Sequence, residues 1–207
     1  MRPFLQSLLI VLATLELANP VTAQEKITLS IRDVLQRPAL HFPALGKKSS
    51  ALVHQSGWSA DSWTPLAERL QRHGVSSVSL VFASSDDVLA AVEFLRANGS
   101  EDITLIGASI GGGAALQALR RDAQQRISNV ILLGTSEGDS SEAVGIPKLF
   151  VVSENDFFAG RTHASYAKAS SPKRLILYPG SAHGQEMLDA SYGESLVAEI
   201  LATIAAD

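Results

Sequence analysis

The chain has 207 residues, with 17 basic and 21 acidic side chains, a net charge of −4 and no cysteine. This length is enough for one domain with a sizeable hydrophobic core. The mild, dispersed acidity argues against nucleic acid or an anionic membrane surface as a partner. The absence of cysteine means that disulfide bonds do not contribute to stability.

Residues 1–23 have the pattern of a secretory signal peptide. Arg2 supplies the positive charge, residues 8–15 form a short apolar segment, and small residues precede a predicted cleavage after Ala23. The apolar segment is too short to cross a bilayer. We therefore expect a periplasmic or secreted protein without a stable membrane anchor after cleavage. Glu16 interrupts the apolar pattern, so an amphipathic first helix remains an alternative.

The remaining residues, 24–207, are predicted to form a single domain of the α/β class. Short apolar runs alternate with helical patterns, which indicates a mostly parallel twisted sheet with helices on both faces. The first two strand patterns alternate polar and apolar residues and are expected to be antiparallel at a sheet edge. The predicted strands are 27–32, 39–42, 50–54, 78–82, 103–106, 129–134, 148–152 and 174–178. The predicted helices are 65–73, 86–97, 114–121, about 162–169 and 192–205.

The first of these helices carries the clearest end signals. Thr64 is the expected N-cap, Pro65 the first helical residue and Gly74 the stop.

The central motif is Gly107-Ala-Ser109-Ile-Gly111, between an apolar strand and a helix. Such a G-x-S-x-G turn holds its serine in a strained backbone, with the hydroxyl exposed above the sheet. Three successive glycines, 111–113, at a helix start cost up to about 1 kcal/mol each relative to alanine, a cost that is accepted most readily where bulk cannot be tolerated. An ordinary turn with a surface serine is the alternative interpretation.

Two loops offer partners for Ser109. In parallel sheets the ligand site lies at the carboxyl ends of the strands. Asp156 follows the strand at 148–152, and His183 follows the strand at 174–178. Ser, Asp and His therefore occur in the order that nucleophile-elbow hydrolases use. Glu154 and Asp139 remain alternative acids.

On these motifs the chain resembles the α/β-hydrolase superfamily, in its small, lidless, dienelactone-hydrolase-like form. The resemblance covers about residues 48–206 and includes Ala182-His183-Gly184 and His54-Gln55-Ser56-Gly57. The latter stands where the family usually carries His-Gly and an oxyanion-hole donor. The resemblance as a whole implies an α/β-hydrolase fold without a cap domain.

The chain departs from the family pattern at three places. An Asp-x-Arg-Gly-x-Gly segment is missing after the strand at 78–82. The loop after 129–134 is short, with little room for the usual helix. Gln55 replaces the usual glycine, and the sequence offers no mechanistic reason for it.

The expected chemistry is the hydrolysis of a carboxylic ester or thioester of a small substrate, with a serine as the nucleophile. Ser109 would attack the acyl carbon, His183 would take and return the proton, and Asp156 would orient His183. The backbone N–H groups of Ile110 and Ser56 would bind the oxyanion.

Other residues near the predicted site are assigned less specific roles. Gln55, Trp58 and Phe157 are the predicted substrate contacts, and Trp63 and Phe158 are further candidates, although such aromatic residues commonly belong to the core. His54 is expected to be a core histidine bound to backbone, and His73 to lie at a helix C-terminus. His41 and His163 are expected at the surface or at an edge.

No cofactor or metal is predicted. The glycines at 107–113 lack both the dinucleotide pattern and a following P-loop lysine, and no metal-ligand spacing of His, Cys or acidic residues occurs. The alternatives are a non-catalytic binding or scaffold protein with this fold, and an exopeptidase or acyltransferase. The sequence leaves the substrate and the oligomeric state open.

Overall fold

The computed structural model describes residues 24–136 and 138–206. The predicted signal peptide, residues 1–23, lies outside the described residues. No helix in the described part of the chain has the length and hydrophobicity needed to cross a membrane.

Eight strands form one sheet in the order β1-β2-β4-β3-β5-β6-β7-β8. β1 and β2 form an antiparallel hairpin at one edge, and β2 is also antiparallel to β4. All other neighbouring strands are parallel. The strands are β1 Glu25–Ile31, β2 Leu35–Phe42, β3 Lys48–Val53, β4 Ser76–Leu80, β5 Asp102–Ala108, β6 Ile127–Leu133, β7 Lys148–Ser153 and β8 Lys173–Tyr178.

Helices cover both faces of the sheet, as the alternating pattern predicted. Residues of α2, α3 and α4 pack in one hydrophobic cluster, and residues of α1 and α5 pack in a second cluster on the opposite face. Strands that are buried on both sides read as continuous apolar runs. The helices are α1 Thr64–Arg72, α2 Ser85–Ala97, α3 Ile110–Arg121, α4 Ala159–Lys168 and α5 Gly193–Ala205, with 3-10 helices at Ala60–Trp63 and Gly184–Leu188.

The predicted fold class is confirmed, and so is the antiparallel hairpin at the sheet edge. The predicted strand 78–82 is displaced by two residues, since β4 is Ser76–Leu80. Its serines are buried rather than exposed; the Ser79 hydroxyl, for example, donates to the Ala60 carbonyl at 2.8 Å. Ser76 and Ser77 therefore extend a strand that hydrophobicity alone places too late: both are buried, and the Ser76 hydroxyl donates to the Phe42 carbonyl at 3.3 Å.

The predicted N-cap of α1 is wrong. Thr64 has helical dihedrals, φ −50° and ψ −45°, and is the first residue of α1. The 3-10 helix Ala60–Trp63 already turns the chain before this point. The predicted stop at Gly74 is confirmed by its φ of +75°.

The loop between β6 and β7 is short, as expected. None of its described residues is helical, in agreement with the expectation that the loop has little room for the usual helix. β5, β6, β7 and β8 are neighbours in the sheet, so their carboxyl ends lie side by side.

Candidate active site

Ser109 lies at a tight turn between β5 and α3. Its backbone has φ +50° and ψ −116°, a conformation that is costly for a residue with a side chain. A Cβ built on Gly107 would lie 2.5 Å from the Gly111 carbonyl oxygen, and one on Gly111 would collide with the Val53 carbonyl. The two glycines of the motif are therefore required because strand and helix backbones approach each other closely at this turn.

His183 and Asp156 form the pair predicted from their positions after β8 and β7. His183 Nδ1 lies 2.7 Å from Asp156 Oδ2. The second carboxylate oxygen, Oδ1, accepts the backbone N–H of Phe158 at 2.8 Å. Asp156 is buried, whereas the His183 side chain is 20% exposed. The carboxylate is thus fixed from both sides, and the outer edge of the imidazole remains accessible.

The alternative acids are not placed beside His183. Glu154 is exposed. Asp139 is also exposed and accepts the backbone N–H of Ser141, a contact that lowers the pKa of its carboxyl group. The structure brings Asp156 alone of the three candidates into contact with the imidazole.

The chain segments that carry Ser109 and His183 are adjacent. A Cβ built on Gly184 would be in van der Waals contact with Ala108, at 3.5 Å. Gly134, at the end of β6, has φ +52°, and a Cβ there would lie 3.0 Å from His183 Nδ1 and 3.2 Å from Asp156 Oδ2. Ser109 is half-buried and makes no direct hydrogen bond to His183 within the described residues. Such catalytic bonds are often long in unliganded enzymes.

The two backbone N–H groups that were predicted to bind an oxyanion are those of Ile110 and Ser56. The Ile110 N–H is in the first turn of α3 and so has no intrahelical acceptor. Within residues 24–136 and 138–206, the Ser56 N–H also has no hydrogen-bond acceptor. The preceding N–H, that of Gln55, is occupied because it donates to Gln185 Oε1 at 3.0 Å.

Gln55 forms a contact that was not predicted from the sequence. Its side-chain Oε1 accepts the backbone N–H of Gln185 at 2.7 Å, so the two glutamines bind each other reciprocally. Both side chains are buried, with 5% and 1% exposure. The predicted role of Gln55 as a substrate contact is therefore replaced by an internal one. Gln185 was missed because its partner is 130 residues away.

A family model described as "alpha/beta hydrolase fold" matches residues 51–159, more than half of the chain. The chain belongs to the alpha/beta hydrolase fold family. This match includes the nucleophile turn and Asp156, and it agrees with the resemblance inferred from the motifs. No curated protein matches the chain by sequence.

Solved structures with the same fold cover nearly the whole described chain. An alpha/beta hydrolase from Penicillium sp. sh18 has a TM-score of 0.78 at 14% identity, over 88% of this chain and 98% of its own. A dienelactone hydrolase from Anabaena variabilis has a TM-score of 0.70 at 18% identity, over 86% and 94%. An esterase from Exiguobacterium antarcticum has a TM-score of 0.68 at 12% identity, over 86% and 99%. At these identities the likeness shows the fold.

The Phe158 ring contacts the imidazole of His183, with the two ring centroids 5.3 Å apart. The predicted contact Phe157 is 91% exposed and packs edge-on against Phe158. Trp58 lines a separate cavity of about 210 Å³ together with Gln185. Trp63 is fully buried core. Phe158 is therefore better placed than Phe157 to face a group bound at His183.

A cavity of about 390 Å³ opens beside the nucleophile turn. It extends from Ile110 along the outer side of α3 to the loop after β6. Polar and small side chains predominate in its lining, which includes Ala83, Ile110, Gly113, Gln117, Arg120 and Ser136. Ile110 is the residue of the turn that lines this cavity, and neither Ser109 nor His183 is part of its lining.

The remaining histidines are structural or exposed. His54 is buried as predicted, with its ring nitrogens 2.7 Å from the Gln55 carbonyl and 3.1 Å from the Val81 carbonyl. His73 ends α1, as predicted, and contacts the Arg69 carbonyl. His163 is exposed. His41, expected at the surface or at an edge, lies in β2 of the hairpin at the sheet edge but is buried, between Ser76 and Phe94.

No site for a metal ion emerges in the described part of the chain. No cluster of three or more His, Cys, Asp or Glu side chains there is arranged to hold one.

Proposed function

We propose that the protein is a serine hydrolase that cleaves a carboxylic ester or thioester of a small substrate. The observation that carries the proposal is the His183–Asp156 pair, 2.7 Å apart, at the same sheet edge as the strained turn of Ser109. Membership of the alpha/beta hydrolase fold family and neighbours that include esterases add support.

In the first half-reaction, Ser109 Oγ attacks the acyl carbon while its proton passes to His183 Nε2. Asp156 Oδ2 accepts the Nδ1–H of His183, which holds the reactive tautomer and stabilises the imidazolium. The N–H groups of Ile110 and Ser56 stabilise the tetrahedral oxyanion, each worth roughly 3 kcal/mol in typical cases. The bond from the acyl carbon to the leaving group then breaks, and His183 returns the proton to the departing alcohol or thiol.

In the second half-reaction, His183 takes a proton from water, whose oxygen attacks the acyl-serine carbon. The bond to Ser109 Oγ breaks, the proton returns to Oγ, and the carboxylic acid is released. The half-buried Ser109 and the open edge of His183 allow a small substrate to reach both groups.

The test uses a fluorophosphonate probe and short-chain p-nitrophenyl esters. We expect the wild type to be labelled and to turn over, and Ser109→Ala and His183→Ala to lose both. Ser181→Ala, an exposed serine two residues before His183, is the matched control and should keep both. A well-folded wild type that is neither labelled nor active would reject the hydrolase and favour the binding protein.

We also propose that residues 1–23 direct export and are removed after Ala23. The proposal depends on the charge and apolar pattern of this segment. N-terminal sequencing of the protein purified from its native host should begin at Gln24, and a protein that retains Met1 would reject the cleavage.

A further inference from the structure

We infer that Gln55 and Gln185 act as positioning residues. They hold the second oxyanion donor, the Ser56 N–H, at a fixed position relative to His183. The inference rests on the proposed hydrolase function. It also accounts for the replacement of the family's usual glycine by Gln55.

The contacts join two loops of the proposed site. Gln55 lies directly before Ser56, at the end of β3, and Gln185 lies two residues after His183. The Gln55 N–H donates to Gln185 Oε1 at 3.0 Å, and the Gln185 N–H donates to Gln55 Oε1 at 2.7 Å. Two such bonds between the same residue pair restrict both the separation and the rotation of the loops.

The pair is anchored on a third element. Gln185 Nε2 donates to Ser62 Oγ at 2.8 Å, and the Ser62 hydroxyl donates to the Ser59 carbonyl. Ser62 belongs to the 3-10 helix Ala60–Trp63, which follows the loop of residues 54–59 that contains Ser56 and is here called the oxyanion loop. The start and the continuation of this loop are therefore both attached to Gln185.

The packing around Gln55 Oε1 leaves little freedom. A Cβ at Gly184 would collide with this oxygen, so glycine at position 184 provides the space that Gln55 occupies. Because the pair consumes the Gln55 N–H, the next amide, that of Ser56, is left for the oxyanion. Polar groups held in advance where charge develops are the main source of such stabilisation.

The test compares two substitutions of Gln55 with opposite properties. Gln55→Met keeps the size and apolar packing but removes the acceptor for the Gln185 N–H. Gln55→Glu keeps that acceptor and adds a buried charge. We expect Gln55→Met to lower kcat by about 10- to 100-fold with KM within about twofold, since one oxyanion donor is typically worth 100- to 1000-fold. Gln55→Glu should retain kcat within about fivefold.

The rate of fluorophosphonate labelling should fall with kcat in Gln55→Met. Amide hydrogen exchange at Gln185 should become faster in this variant, because its N–H loses the Gln55 Oε1 acceptor, and not in Gln55→Glu. Gln71→Met is the matched control: Gln71 is also buried and its Nε2 donates to the Pro43 carbonyl in a different part of the fold. This control should lose stability without a change in kcat.

Two results would overturn the inference in different ways. If Gln55→Met is as active as an active wild type, the pair contributes only packing. If the wild type itself is neither labelled nor active, the proposed function fails first, and the inference fails with it.

Discussion

The parallel strands begin at one side of the central sheet, here called the amino edge, and end at the other, the carboxyl edge. These two edges use polar groups in opposite ways. At the amino edge, the buried Lys148 donates from Nζ to the carbonyls of Ala143, Ile146 and Ser170 at 2.7, 2.7 and 3.2 Å. Lys48, at the same edge, donates to the carbonyls of Ile204 and Ala205 at the end of α5. A cation at a helix C-terminus is favourable because of the helix dipole. These contacts fasten loops and a helix end to the sheet.

At the carboxyl edge, several polar groups are left free of intramolecular partners. His183 is bound by Asp156 on one side only, and the N–H groups of Ile110 and Ser56 face no acceptor in the part of the chain that the structure describes. The two lysines of the amino edge therefore maintain the fold by holding loops and a helix end in place, whereas the unpaired groups of the carboxyl edge are those to which we assign the proposed chemistry.

The largest expected effect is at the carboxyl edge. Asp156→Asn should lower kcat/KM by roughly 1,000- to 10,000-fold, because an amide favours the wrong tautomer of His183. Thermal unfolding should change little, since the amide preserves the side-chain volume. The measurement is ester hydrolysis beside Glu154→Gln and Asp139→Asn, the two acids that do not contact His183. A strong loss in either of these, with Asp156→Asn active, would assign the acid differently.

A substitution at the amino edge should lower stability and leave activity unchanged. Lys148→Met should destabilise the protein by about 2–4 kcal/mol, because it leaves buried carbonyls without a donor. The activity per folded molecule should remain unchanged. Denaturant unfolding checks the first point, with the exposed Lys168→Met as a control expected within about 0.5 kcal/mol of the wild type. A loss of kcat in folded Lys148→Met would contradict the division between the edges.

The pH dependence of stability sharpens this prediction. Burial, and to a lesser extent Lys173, lowers the pKa of Lys148 below its ordinary value of 10.5. Between the folded and unfolded pKa values the unfolded chain binds more protons, so this residue makes the free energy of unfolding increase as pH rises towards 10.5. The difference in slope between the wild type and Lys148→Met should show this contribution, and equal slopes would count against it.

A smaller loss of activity is expected from substitution of Gly134. Comparing it with a substitution of Gly99 separates the effect of backbone strain from the effect of a side chain that contacts the site. Gly134→Ala and Gly99→Ala both place a side chain at positive φ, at a cost of about 1–3 kcal/mol. A Cβ at Gly99 meets nothing within 4 Å, whereas one at Gly134 approaches His183 Nδ1 and Asp156 Oδ2. Only Gly134→Ala should therefore also lose activity, by about tenfold. Equal kcat values in the two variants would show that the His183–Asp156 pair tolerates this contact.

The parts of the fold that depend on local patterns could be predicted from the sequence. The alternating β/α order, the hairpin at the sheet edge and the end of α1 at Gly74 follow from hydrophobic periodicity and turn residues. Asp156 and His183 could be selected because each directly follows a strand of a parallel sheet. The start of β4 could not, because Ser76 and Ser77 are polar residues that the sheet buries.

By itself, the sequence determined the fold class, the turn at Ser109 and the candidate His–Asp pair, since these depend on short-range patterns and on one rule of parallel sheets. Only the tertiary structure decided which acid contacts His183, which aromatic residue lies beside it and which side chain occupies the Gln55 N–H. The reciprocal bonds of Gln55 and Gln185 show why: they join residues 130 positions apart. Contacts at that separation arise from packing of the whole sheet, and no local pattern encodes them.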